Sequence, residues 1–268
     1  MIQNILARHG LSNFIVEYYS INPKQKIPTI NCKVRDEAGA PYMLKIYIGP
    51  KEEGHAYITK CHRLLEMRVG DLLKPQILSD QVLLTKYITG PTISSLRKWP
   101  VIGRKLTYRT VDWIAAFHDT RHDNGVGYIH GDFSAFEVIL HGGNLVVLDW
   151  EDFSEYEEQL VDVLYLIFRE TFQEYFYGSS PSTPSDFLNS VLRDDCLHPY
   201  LARYQKQRPH IAYNAERRIL AVRRFLELRI RREFAYYSIP RRDRYICRKI
   251  YGLLEASDNN NHHDWHLA

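Results

Sequence analysis

Tyr128-Ile129-His130-Gly131-Asp132-Phe133-Ser134-Ala135-Phe136-Glu137-Val138-Ile139-Leu140 runs into His141-Gly142-Gly143-Asn144 and then Leu145-Val146-Val147-Leu148-Asp149-Trp150-Glu151. Residue by residue it reads as loop, short strand, glycine turn, strand. Asp132 precedes the first strand and Asp149 ends the second. Val146, Val147 and Leu148 mark that second strand as buried, so the aspartate at its end needs a cavity, a metal or a partner. Two carboxylates brought together across a hairpin suit phosphoryl transfer. One would accept the proton of an attacking hydroxyl while the other holds Mg²⁺ against nucleotide phosphates. Two turn or cap aspartates at a sheet edge give the same pattern, so these residues alone leave both readings open.

Working outward toward the N-terminus, Phe14 to Tyr19 is β-branched and aromatic with little alternation. Pro28 to Val34 alternates better, Asp36 to Ala40 reads as a turn, and Tyr42 to Tyr47 reads as a strand, which together imply an antiparallel hairpin. Tyr57, Cys61, Leu64, Leu65 and Met67 recur at a helical period, predicting a helix around 53–69. Gln76-Ile77-Leu78 and Val82 to Ile88 predict two more strands around Asp80. Thr89-Gly90-Pro91 breaks the pattern and divides the chain into a sheet-rich part, 1–88, and a helical part, 89–268. In the second part the spacing predicts helices over 104–121 and from about 155 onward. A loop is expected at 179–184, and a long helix opens at Asn214 or Ala215 and runs to about Tyr237.

Apolar residues make up 45% of the 268 and charged residues 25%, the balance of a globular chain with a sizeable core. No apolar run reaches about 18 residues, so no transmembrane helix is expected. The first residues lack the basic start and apolar stretch of a secretory signal, so a cytoplasmic location is expected. Cys32, Cys61, Cys196 and Cys247 stand too far apart for a CxxC zinc site or a disulfide framework. Charge is uneven. Residues 201–250 carry 15 Lys/Arg against 4 Asp/Glu, while residues 1–200 carry 20 against 25. A basic segment of this kind either meets an anionic partner or pairs with the acidic part of the same chain.

The His-Gly-Asp loop, strand, glycine turn and Leu148-Asp149-Trp150-Glu151 resemble the aminoglycoside-phosphotransferase family. That family is a branch of the protein-kinase-like fold, and the nearest type has a His-Gly-Asp-Phe loop. The resemblance covers roughly 14–170 and is strongest over 113–168. It implies an α+β, bilobal fold with a small antiparallel-sheet N-lobe and a mainly helical C-lobe. It implies a phosphotransferase that uses ATP and Mg²⁺ on a hydroxyl of a small-molecule acceptor, such as a sugar or another anionic metabolite. Asp132 resembles the catalytic base and Asp149 the magnesium-binding aspartate. Asp162 resembles the aspartate that braces the catalytic loop, and His130 a support of that loop. Lys45 resembles the strand lysine on the α/β phosphates, and the backbone near Lys86 and Ile88 resembles the adenine-binding hinge.

Three departures matter. The family has Asn where this chain has Glu137. A carboxylate can bind Mg²⁺ but donates no hydrogen bond when ionised. The register for a helix glutamate paired with Lys45 holds Lys60 and Cys61, with Glu53 and Glu66 off phase. No glycine-rich phosphate loop lies in the connector at 22–28, where Lys24 or Lys26 could touch phosphate. Glu137 and the missing glutamate keep open a catalytically degenerate pseudokinase that binds without turnover. In the basic segment Arg217, Arg218, Arg223, Arg224, Arg229, Arg231 and Arg232 interleave with apolar residues. A basic acceptor site would favour an anionic substrate. Tyr236, Tyr237 and Tyr245 among arginines leave nucleic-acid binding as a lesser alternative.

Overall fold

Alternation sets the first sheet. In the computed structural model strand β2 (Thr29–Arg35) buries Ile30, Cys32 and Val34 on one face and turns Asn31, Lys33 and Arg35 to the other. The structure describes residues 1–22, 29–50, 52, 55–56, 58–59, 73, 75–96, 99–119, 127–150, 153–156, 158–177, 182–235 and 241–260. β1 (Ile15–Asn22), β3 (Pro41–Tyr47), β4 (Gln76–Ser79) and β5 (Val82–Lys86) complete an antiparallel sheet of order β1-β2-β3-β5-β4. The β2–β3 turn is tied by Asp36, whose carboxylate accepts from Ala40 N–H at 2.8 Å, with Gly39 at φ 80°. A helix the sequence reading did not foresee, α1 (Ile2–Arg8), lays Leu6 on Ile30, Cys32, Val34, Leu44, Ile46, Val82 and Leu84. β1 alternates poorly because it is an edge strand with a register shift between Val16 and Tyr18, and it leaves Ile15, Tyr18, Tyr19 and Ile21 exposed.

The helix expected over 53–69 lies almost wholly outside the described residues, as do Lys24 and Lys26. Ile58 is described and packs with Tyr47 and Leu83 on the opposite sheet face from Leu6. After β5 come α2 (Ile93–Leu96) and α3 (Pro100–His118), which begins one turn earlier than the expected 104 because Pro100 takes the first helical position. β6 (Gly127–Ile129) follows. β7 (Val138–His141) and β8 (Asn144–Val147) then form a hairpin closed by Gly142 and Gly143, at φ 55° and 82°. Positive φ at both central positions is what a two-residue hairpin turn needs, and glycine supplies it without a Cβ clash. β9 (Ser154–Tyr156) pairs with β6, so helix begins only at Leu160 rather than near 155.

By packing the chain divides into two compact units, Met1–Ser95 with Glu137–Phe153 and Leu96–Phe136 with Ser154–Ala268. The β7–β8 hairpin, placed on the sequence with the helical part, groups with the sheet. Ile139 and Val146 pack on Ile88, Leu140 N–H donates to the Pro91 carbonyl, and Thr92 bridges Ile139. In the other unit the first half of α4 (Leu160–Tyr177), from Leu160 to Phe168, is buried on every side, as a central helix must be. Its Phe168 and Phe172 meet Phe187 of α5 (Pro184–Leu192) and Phe225 of α7 (Ala215–Ala235). α6 (Pro199–Gln207) and α8 (Arg241–Asn260) complete it. Thr183 and Asp186 form a reciprocal capping box at α5, and Asn214 caps α7 through Arg217 N–H. No helix among the described residues is long and apolar enough to cross a membrane.

Candidate active site

The pleat of β3 decides where Lys45 points. Leu44 and Ile46 face α1, so Lys45, opposite Asn31 and Leu83 in register, faces the other way. Its Nζ lies 3.6 Å from Asp149 Oδ1. The lysine side chain is 17% exposed and the aspartate 47%. Asp149 has φ 53° and is the one non-glycine residue with positive φ among those described. This conformation costs an aspartate on the order of 1 kcal/mol, so its surroundings must hold it. They do so on both sides. Leu148 N–H donates to the Glu137 carbonyl at 2.7 Å, and Trp150, nearly buried, donates from Nε1 to the Val147 carbonyl at 3.0 Å. The contact is partly solvated and near the limit of an ion pair, so it positions more than it stabilises.

Around the expected hinge, Lys86 N–H donates to Leu73 O at 2.6 Å and Tyr87 N–H to Pro41 O at 3.0 Å, so those amides are engaged within the sheet unit. Ile88 is buried against Ile139 and Val146. Glu137, half-buried, opens the β7–β8 hairpin and so belongs to the same unit as Asp149. Glu53, Lys60, Cys61 and Glu66, the positions weighed as partners for Lys45, lie outside the described residues.

In the other unit the loop His130-Gly131-Asp132 hangs on Asp162. This fully buried carboxylate accepts from His130 N–H and Gly131 N–H, each at 2.8 Å, and faces His118 Nε2 at 3.0 Å. Burial holds His118 below the ordinary histidine range, with Asp162 opposing, so the ring is neutral at pH 7. A neutral ring that donates from Nε2 must accept at Nδ1, where Tyr204 Oη stands at 2.6 Å. Arg208 closes the chain of bonds, donating to Tyr204 Oη at 2.7 Å, to Gln159 Oε1 at 3.0 Å and to the His118 carbonyl at 3.1 Å. Gly131 takes φ 86°, and Asp132 N–H points at His130 Nδ1 at 3.4 Å.

Asp132 is half-exposed and meets two groups that the sequence reading did not assign to it. Arg229 Nη1, from α7, lies 3.4 Å from Asp132 Oδ1 with its side chain only 6% exposed. The same guanidinium covers the Tyr165 ring at 4.4 Å. Tyr165 is hydrogen-bonded to Asp132, and burial keeps its hydroxyl protonated far above the usual range, with Arg229 opposing and Asp132 reinforcing. The described arginines of the basic helix pair within the chain. Arg217 meets Glu158, Arg218 is buried against Asp194 and the carbonyls of Tyr213 and Leu192, Arg223 meets Glu255, and Arg224 meets Glu227. Tyr236 and Tyr237 lie outside the described residues. No group of three or more His, Cys, Asp or Glu side chains among the described residues is placed to hold a metal ion.

No family model matches the sequence, and no curated protein matches it. Solved structures do. The amicoumacin kinase hAmiN, in complex with AMP-PNP, Ca²⁺ and Ami, aligns over 95% of this chain and 93% of its own, with a TM-score of 0.51 at 12% identity. The chain has the fold of that kinase. It is α+β, with the antiparallel sheet first and the helices after. Weaker likenesses are the streptomycin–ATP complex of APH(2")-IIa, with a TM-score of 0.44, 14% identity, and 83% and 95% of the two chains, and the Plasmodium vivax ethanolamine kinase, with 0.44, 12%, and 77% and 80%. At 12% identity the amicoumacin kinase match establishes architecture alone, and the chemistry rests on the residues above.

Proposed function

We propose that this chain is an ATP- and Mg²⁺-dependent phosphotransferase acting on a hydroxyl of a small molecule, a sugar or another anionic metabolite. The observation that carries the proposal is the contact of Lys45 with Asp149. A strand lysine and a strained, half-exposed aspartate stand 3.6 Å apart on the kinase-like sheet unit. A strand lysine beside an accessible aspartate is the pair that nucleotide phosphates and their metal ion would use. Asp149 offers the hard, accessible oxygen that Mg²⁺ takes, and Glu137 supplies a second carboxylate on the same unit. When bound, the ion would neutralise phosphate charge. Lys45 then exchanges its carboxylate partner for the α/β phosphates. The carbonyl of Lys86 and the amide of Ile88 are the hinge groups assigned to adenine. Asp132, with its loop suspended from Asp162, orients the acceptor hydroxyl and takes its proton.

A pseudokinase is the second reading, and Glu137 in place of a neutral amide is what favours it. One experiment separates the two. Steady-state release of ADP from Mg-ATP is measured alone and against a panel of hydroxyl-bearing acceptors, in the native chain and in Asp132→Asn. Phosphotransfer predicts turnover with at least one acceptor and a loss of at least a hundredfold in the variant. Equal background rates in both chains, with Mg-ATP still bound, would select the pseudokinase.

A further inference from the structure

Helix α3 opens with apolar side chains in water. Trp99 is 57% exposed, Val101 82% and Ile102 51%. A core-forming helix has no use for three such residues within four positions, and cations follow from Arg104. Val101, Arg104, Lys105, Tyr108 and Arg109 recur at helical spacing, and with Arg203 of α6 they line a surface cavity of about 460 Å³. Arg203 is anchored there, bonded to Asp112 at 2.7 and 2.6 Å and lying over the Tyr108 ring at 5.2 Å. Between Asp80 and Asp112 the chain has no acidic residue, and Arg104 and Lys105 are exposed.

We propose that this end of α3 docks the protein on the surface of an anionic lipid bilayer, with Trp99, Val101 and Ile102 entering the headgroup region and Arg104, Lys105 and Arg109 holding lipid phosphates at the cavity. Tryptophan with flanking aliphatics partitions into the interface because one part of the ring is apolar and its N–H is polar. Cations beside it are drawn to anionic headgroups within a Debye length. A nucleic acid would use the cations and Tyr108 but gain nothing from Val101 and Ile102, so the mixture of the two chemistries favours lipid. The inference is independent of the phosphotransferase proposal, because none of these residues is assigned to nucleotide or acceptor.

The test is co-sedimentation of the full chain with phosphatidylcholine vesicles and with vesicles in which about a third of the lipid is phosphatidylglycerol. Binding to the anionic vesicles alone, weakening as salt is raised, is the expected result. Each cation removed should weaken it about fivefold, so Arg104→Gln with Lys105→Gln should lose at least tenfold. Val101→Ser should also weaken binding severalfold with the charges intact. All these side chains are exposed, so melting temperatures should stay within a degree or two, which separates lost docking from lost folding. No enrichment on anionic vesicles overturns the proposal. So does binding that ignores Val101→Ser and is displaced by a short oligonucleotide, which would make the site a polyanion groove.

Discussion

Arg229 Nη1 lies 3.4 Å from Asp132 Oδ1, so the aspartate of the His-Gly-Asp loop is tied to a helix 97 residues further along the chain. The guanidinium is nearly buried and stacked on Tyr165. Removing it takes the guanidinium from a half-exposed carboxylate and from the face of the Tyr165 ring. Arg229→Leu should destabilise the fold by about 2 kcal/mol, and Arg229→Lys, which keeps the charge but loses the planar stack, by about 1 kcal/mol. Urea denaturation of the three chains checks both values. Equal stability in all three would mean the contact is ornamental.

Asp162 should be the most sensitive single residue in the helical unit. It is fully buried and serves two backbone amides and a histidine. Asp162→Ala strands all three donors and should cost about 3 kcal/mol or more, whereas a surface substitution such as Glu216→Ala should stay within about 0.5 kcal/mol. The check is the denaturation midpoint at constant slope.

Acid should weaken the protein in a window set by histidine. Burial lowers His198 to about 4, and its neutral Nδ1 accepts from Tyr200 N–H at the start of α6. Between pH 6.5 and about 4 the unfolded chain takes up a proton that the folded chain refuses. Stability is therefore level above pH 6.5 and falls as the pH drops through that range. Buried His118, also lowered, acts with the same sign. His198→Asn caps the helix without titrating, so its melting temperature should fall less between pH 7 and 5 than that of the native chain. Parallel curves would remove His198 from the account.

The legible parts of the sequence were those with short-range signatures. The Asp36–Ala40 turn, the alternation of β2 and the Gly142-Gly143 hairpin each announce themselves within about ten residues. What stayed illegible was set by distant packing. Nothing local distinguishes Arg229, which turns inward to Asp132, from Arg224, which pairs along its own helix. Tyr165 reads as one more apolar position of a buried helix. His118, Tyr204 and Arg208 form one bonded chain from two separate helices and a loop. The period of each helix names its buried face and not the polar partner waiting there.

The hairpin's seat on the sheet unit can be tested at one atom. A Cβ on Gly90 would stand 2.3 Å from the Leu140 carbonyl oxygen and 2.7 Å from Ile139 Cγ2. Neither the carbonyl nor the buried isoleucine can withdraw freely, so Gly90→Ala should destabilise by about 1–3 kcal/mol. Gly39→Ala meets no atom within 4 Å and strains only its positive φ, so its cost should stay near 1 kcal/mol. Comparing the two melting temperatures shows what steric contact adds to the backbone strain that both positions carry.

The assignment of Lys45 and Asp149 to nucleotide phosphate and metal is tested most directly by the melting temperature in Mg-ATP. At a hundred times the dissociation constant the native chain should gain about 2.7 kcal/mol, a rise of about 5–10 °C. Asp149→Ala should abolish the rise, and Lys45→Ala should reduce it. No rise at millimolar Mg-ATP, or an undiminished rise in Asp149→Ala, would contradict the account.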